Sequence, residues 1–118
     1  MLRWLRKDKE MEQIIWLSYD LGVRGDYESL YIWLDFYEAR ECGDSFAALH
    51  YEYKRNLESE IKKDLKESVN LRKSDRIYLI YEDDKSGKLK GKFIIGRRKR
   101  SPWEGFAESY EEVSEDGG

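Results

Sequence analysis

Hydrophobic positions follow distinct rhythms along the chain, and each rhythm predicts a kind of element. The nearly unbroken apolar run Ile14-Ile15-Trp16-Leu17-Ser18-Tyr19 has the pattern of a strand covered on both faces. Asp20 closes it, and Gly22-Val23-Arg24-Gly25 makes a turn. Asp26 then stands as the N-cap of a first helix, in which Tyr27, Leu30, Trp33, Leu34 and Tyr37 recur at helical spacing. A brief extended piece over 39–42 meets the hairpin dipeptide Gly43-Asp44, and residues 45–53 return as a longer strand. Asn56 caps a second helix that carries Leu57, Ile61, Leu65 and Val69 at intervals of four, with Glu58 and Lys62 spaced for an ion pair. Arg76-Ile77-Tyr78-Leu79-Ile80-Tyr81 is another strand apolar on both faces. Residues 83–87 form a turn, and 88–96 are the last strand.

Two helices against one mainly antiparallel sheet predict an α+β sandwich. The split strand-helix-strand order predicts a ferredoxin-like βαββαβ fold with an additional C-terminal strand. The domain is expected over 13–103, after an N-terminal extension of residues 1–12 in which Met11 is an alternative start. Pro102 ends the ordered chain, and 104–118 form an acidic, partly disordered tail. Helices cover only one face of such a sheet. The other face, carrying Trp16, Tyr78 and Ile80 or their alternates, then needs a cover, and a homodimer packed sheet to sheet supplies it.

Charge changes this picture more than composition does. The chain has 118 residues, 40% of them charged, with a net charge of −3. Residues 104–118 hold six acids and no base, so residues 1–103 carry 22 bases against 19 acids and stand at +3. Within that body, residues 85–100 hold eight bases and no acid. In strand geometry Lys88, Lys90 and Lys92 share one face, and Leu89, Phe93 and Ile95 share the other. Arg97, Arg98, Lys99 and Arg100 follow directly. Such a row beside an arginine cluster suits a phosphate backbone, RNA or DNA, with strong salt dependence. The bland alternative is an edge strand guarded by lysines. A third is that the acidic tail folds over the basic strand in place of a nucleic acid.

Several chemistries are poorly served. One cysteine, Cys42, cannot form an internal disulfide and fits a reducing, cytoplasmic setting, where it reads as a small apolar filler. His50 is the only histidine, so there is no Cys/His zinc cluster and little basis for a catalytic triad; it reads as a strand residue. No apolar run approaches the roughly 20 residues of a membrane span, so no membrane partner is expected. Asp26 reads as a cap and Asp44 as a turn residue. Trp103, Phe106 and Tyr110 read as anchors that seat the tail in a groove, or as base-stacking platforms.

Tyr19-Asp20 closing the first strand, Asp26-Tyr27-Glu28-Ser29-Leu30-Tyr31 opening the first helix, the hairpin over 42–46, and Ser74-Asp75-Arg76-Ile77-Tyr78 entering the fourth strand resemble one known group. It is the superfamily of the CRISPR-associated small endoribonuclease, the partner of the spacer integrase, with its VapD and SinR-like relatives. The resemblance spans residues 13–96. It implies a dimeric ferredoxin-like fold and a metal-dependent ribonuclease. Asp20 is then the catalytic residue and metal ligand, since the family's aspartate at this position meets its partner near the dimer axis. Paired carboxylates repel unless a cation or proton is shared, and Mg²⁺ with its water is the implied cofactor. Arg24 is the only base near the start of the first helix, and residues 97–103 have no counterpart in the group, which favours the VapD and SinR-like side. Without the resemblance, Asp20 reads as a loop aspartate that satisfies the amides of the 21–25 turn. Two function classes therefore stand open. One is a nucleic-acid-binding protein with nuclease ancestry; the other is a non-catalytic dimeric module that pairs its basic strand and acidic tail with protein partners.

Overall fold

In the computed structural model, which describes residues 11–110, the first apolar run lies at the centre of the sheet. The elements are β1 (Met11–Asp20), α1 (Tyr27–Phe36), β2 (Arg40–Glu41), β3 (Phe46–Tyr53), α2 (Leu57–Ser68), β4 (Arg76–Glu82) and β5 (Leu89–Ile95). They form an α+β structure with a five-stranded sheet in the order β2-β3-β1-β4-β5, every neighbouring pair antiparallel. Met11 and Glu12 pair with Tyr53 and Glu52, so β1 takes in the end of the expected 1–12 extension. The remainder of that extension, residues 1–10, lies outside the described residues. Of the acidic tail, 106–110 are helical and 111–118 lie outside the described residues. No helix among the described residues is long and apolar enough to cross a membrane.

Strand alternation sorts the sheet into two faces. Ile15, Leu17, Ala47, Leu49, Tyr51, Ile77, Leu79 and Tyr81 point to the helices and are buried with Leu30, Trp33, Leu34, Leu57, Ile61 and Leu65. The opposite face is open. Trp16, Ala48, Tyr78 and Ile80 there are half-buried by one another, and Ile14 is 46% exposed. The runs in β1 and β4 that read as doubly covered are therefore covered on one side within a single chain.

Both helix starts follow from their caps. The Ser29 N–H donates to Asp26 Oδ1 at 3.1 Å, and the Asn70 N–H donates to Oδ2 at 2.9 Å, so one carboxylate ties the start of α1 to the end of α2. The Ser59 N–H donates to Asn56 Oδ1 at 2.8 Å. Glu60 accepts from the amides of Lys54, Arg55 and Asn56 at 2.7–2.9 Å. Partial burial alone would raise its pKa, but those three donors hold it below the ordinary value. Glu58 does not find Lys62; it accepts from the Tyr81 hydroxyl and from Lys92 Nζ, a packing choice that links α2 to β4 and β5.

β5 departs most from simple alternation. Phe93 pairs with Tyr78, but Ile95 pairs with Ile77 across a bulge, and Ile94 and Ile95 are both buried. The expected grouping of Leu89, Phe93 and Ile95 on one face is therefore corrected. Leu89 and Phe93 lie on the open face, while Ile95 turns to the core.

Candidate nucleic-acid interface

Register places the chemistry at one end of the open face. Asp20 pairs with Arg76, Ser18 with Tyr78, and Tyr78 in turn with Phe93. Arg76 Nη2 donates to Asp20 Oδ2 at 3.3 Å, and the Gly22 N–H donates to Oδ1 at 3.2 Å. The Asp20 pKa is lowered, first by the Gly22 amide and then by Arg76, with a further pull from Lys99. Asp20 thus takes the amide of its own turn, as its loop reading expects, and holds a guanidinium besides. With the Asp20 side chain 54% exposed, the ion pair is worth roughly 0–1 kcal/mol.

Beyond β5 the chain returns over this end of the sheet. The Arg98 guanidinium lies 5.6 Å from the Tyr78 ring centre and 5.4 Å from that of Phe93, and Arg76 is also 5.4 Å from Phe93. Tyr78 and Phe93 meet edge to face at 4.8 Å. Together with Ser18 and Asp20 these residues line a pocket of about 290 Å³. Arg97, Arg98, Lys99 and Arg100 are exposed, and Arg100 pairs with Glu104 at 3.3 Å, a local contact at the start of the tail.

The lysines lie elsewhere. Lys88 precedes β5 and is exposed in the hairpin. Lys90 and Lys92 point to the helix side of the sheet, where Lys90 sits 3.7 Å from Asp83 and Lys92 2.9 Å from Glu58. Arg98 and the pair Lys90 and Lys92 thus lie on opposite faces of the sheet. Cys42 is exposed beside the β2–β3 turn and not a filler, and His50 is exposed on β3, 3.5 Å from Glu12. Asp44 lies in the turn as expected. Trp103, Phe106 and Tyr110 are 69%, 70% and 73% exposed, so none is seated in a groove of its own chain.

Three site residues, Arg76, Phe93 and Ser18, were not singled out from sequence. The signal for Arg76 was its place one strand period before Tyr78 and Ile80, which puts all three on one face. Phe93 was legible as opposing the lysines, but not as a neighbour of Tyr78, because register across a hairpin turn is not written in composition.

A glycine makes room for the site. A Cβ on Gly91 would lie 2.6 Å from the Tyr78 hydroxyl and within 3.0 Å of its ring. Gly91→Ala is expected to displace that ring and cost about 1–3 kcal/mol, read as a lower denaturation midpoint with an unchanged m-value.

The donor set bears on the Mg²⁺ expectation. Among the described residues no group of three or more His, Cys, Asp or Glu side chains lies close enough to hold a metal ion. Asp20 offers a single carboxylate, already bonded to Arg76, whereas Mg²⁺ takes carboxylates with several waters in a near-octahedral shell. The described residues of one chain do not by themselves make such a site. No protein-family model, curated protein or solved structure matches the chain.

Proposed function

We propose that this protein binds nucleic acid at the arginine-aromatic end of its open sheet face. The observation that carries this reading is Arg76 and Arg98 converging on Phe93, with Arg97, Lys99 and Arg100 exposed beside them. Guanidinia suit bidentate contact with phosphate, and the Tyr78 and Phe93 rings suit stacking with an unpaired base once Arg98 turns outward. Lys88 lies at the opposite end of β5 from the arginines and would be reached only by a ligand that runs the length of that strand. Lys90 and Lys92 contribute only if they leave Asp83 and Glu58. The strand order, with β1 antiparallel to both β3 and β4, supports reading the core as ferredoxin-like with β5 added at the β4 edge. A homodimer in a reducing cytoplasm belongs to the same reading. Cleavage as a Mg²⁺-dependent ribonuclease, in line with the CRISPR-nuclease and VapD resemblance, would need Asp20 from two copies to meet.

A second reading is a non-catalytic dimeric module for protein partners. It is favoured by the exposed aromatics Trp103, Phe106 and Tyr110 and by the apolar rows around Trp16 and Ile80.

Binding of labelled single-stranded RNA and DNA across a salt series separates the two. Replacing Arg97, Arg98 and Arg100 by Gln is expected to weaken binding and reduce the salt slope by about 2, at roughly 0.7 per lost contact. Unchanged affinity and slope would remove the nucleic-acid reading. Incubation of the same RNA with Mg²⁺ or chelator tests cleavage, and cutting that persists in Asp20→Ala would eliminate the metal role. Sedimentation at the mass of one chain at tens of micromolar would count against the sheet-to-sheet dimer.

A further inference from the structure

The groove between α1 and α2, on the side of the molecule away from the open sheet face, has a chemistry of its own. Ser29, Ile32, Trp33, Phe36 and Tyr37 form one stripe of α1 and its C-cap, and Asp64 and Ser68 face them from α2, lining an open groove of about 300 Å³. That volume is at the low end of the roughly 300–1,000 Å³ of small-molecule sites. The wall is aromatic. The Trp33 and Tyr37 ring centres are 4.7 Å apart, and Phe36 stands perpendicular to Tyr37 at 5.2 Å. Phe36 and Ile32 remain 76% and 64% exposed, so the stripe offers apolar surface that the fold does not use.

The floor is a fixed carboxylate. Tyr37 and Tyr51 both donate their hydroxyls to Asp64 Oδ2, at 2.6 and 2.9 Å. Among the described residues Oδ1 receives only the Ser68 hydroxyl, at 3.4 Å, which leaves it acceptor capacity. None of the ion pairs found among the described residues reaches Asp64. The other wall brings no base either: α1 contains Glu28 and Asp35 but neither lysine nor arginine. Burial, and then the bonds to Asp64, push the Tyr37 hydroxyl up to about 12, and Tyr51 is raised for the same reasons, so both stay protonated donors.

We infer that this groove is a binding site for a small organic cation, a methylated ammonium, held between the Trp33, Phe36 and Tyr37 rings and the Asp64 carboxylate. Aromatic faces attract a weakly hydrated cation through their quadrupole, and a nearby carboxylate supplies the countercharge. A compact anion could use the Ser29 and Ser68 hydroxyls, but it would face the Asp64 carboxylate with no base on α1 to balance the repulsion. A neutral apolar ligand would gain the walls but leave the carboxylate uncompensated. The inference is independent of the nucleic-acid reading, because none of its residues belongs to that site.

Choline and neohexanol, its uncharged carbon isostere, test the charge directly. In ¹H–¹⁵N spectra of the full chain, choline is expected to give saturable shifts at the Trp33 indole and at the amides of Ile32 and Ser68. Neohexanol is expected to bind at least about tenfold more weakly, the effect of about 1.4 kcal/mol. Phe36→Ala, at an exposed position that should fold normally, is expected to weaken choline binding several-fold, and Asp64→Asn to weaken it about tenfold. Equal binding of the two ligands, wild-type affinity in Phe36→Ala, or no saturable shift with choline would each overturn the proposal. A free quaternary ammonium and a trimethylated lysine share this chemistry; comparing choline with a trimethyl-lysine peptide distinguishes them by which binds more tightly.

Discussion

Ile61→Ala is expected to lower the free energy of unfolding by about 2–5 kcal/mol. Ile61 lies at the middle of α2, one turn from Leu57 and one from Leu65, and is fully buried with them. These three positions are the whole buried stripe of a helix whose other face is charged, so α2 docks on the sheet through very few side chains. Truncation removes transfer free energy and leaves a cavity, and the neighbours cannot close it easily. Leu65, Ile15, Ile77 and Leu79 are themselves at 0% exposure and have no slack. Urea denaturation reads the effect as a lower midpoint at constant m. Lys62→Ala, one residue away on the exposed face, is the control and should stay within about 0.5 kcal/mol. A cost below 1 kcal/mol for Ile61→Ala would mean that α2 does not seat on the sheet through this stripe.

The same helix shows what a sequence makes legible. Period-four spacing from Leu57 to Val69 and the Asn56 cap identify α2 directly, because both are local: the side chains that define the helix are neighbours in the chain. The Asp26 cap of α1 and the Gly43-Asp44 hairpin are legible for the same reason. Alternation likewise puts Tyr78 and Ile80 on one face of β4, but that Trp16 of β1 shares this face, and not its alternates, is a matter of register. What was not legible depends on register. The bulge between β4 and β5 turns Ile95 inward, and no residue type announces it. Lys90 and Lys92 form a row in the sequence, but the row faces α2 because Lys92 pairs with Leu79 across the sheet, and Glu58 then claims its charge. Arg76 reached the site through its pairing with Asp20, a contact between residues 56 apart in the chain. The basic segment is therefore plain in the sequence, while the half of it that remains available to a ligand is chosen by the fold.

Asp75→Ala is expected to cost about 3 kcal/mol and to loosen the candidate site at the same time. Asp75 is 1% exposed, the one charged residue buried in the described chain. Its Oδ2 accepts from the Arg72 N–H at 2.6 Å, and its own N–H donates to the Arg72 carbonyl at 3.0 Å, which closes the turn into β4. The Arg72 guanidinium lies 3.8 Å from Oδ1 and donates to the Leu21 carbonyl at 2.9 Å, so Asp75 helps to aim the group that holds the end of β1. Alanine would leave a backbone donor without its acceptor and the guanidinium without its countercharge. The Arg72 side chain is 40% exposed, and water then recovers part of the loss, which keeps the figure at the low end for a broken buried pair. Asp75→Asn preserves an acceptor for the Arg72 amide but removes the charge, so about 1–2 kcal/mol is expected. A double-mutant cycle with Arg72→Ala should return a coupling of about 1 kcal/mol, since the two side chains act on the same turn. Below its unfolding transition, Asp75→Ala should also weaken nucleic-acid binding more than Asp75→Asn. Leu21 directly follows Asp20, and Arg76, which holds Asp20, directly follows Asp75. Equal stability of the alanine and asparagine variants would assign the whole effect to charge. Wild-type stability in both would show that Asp75 is buried without supporting the turn.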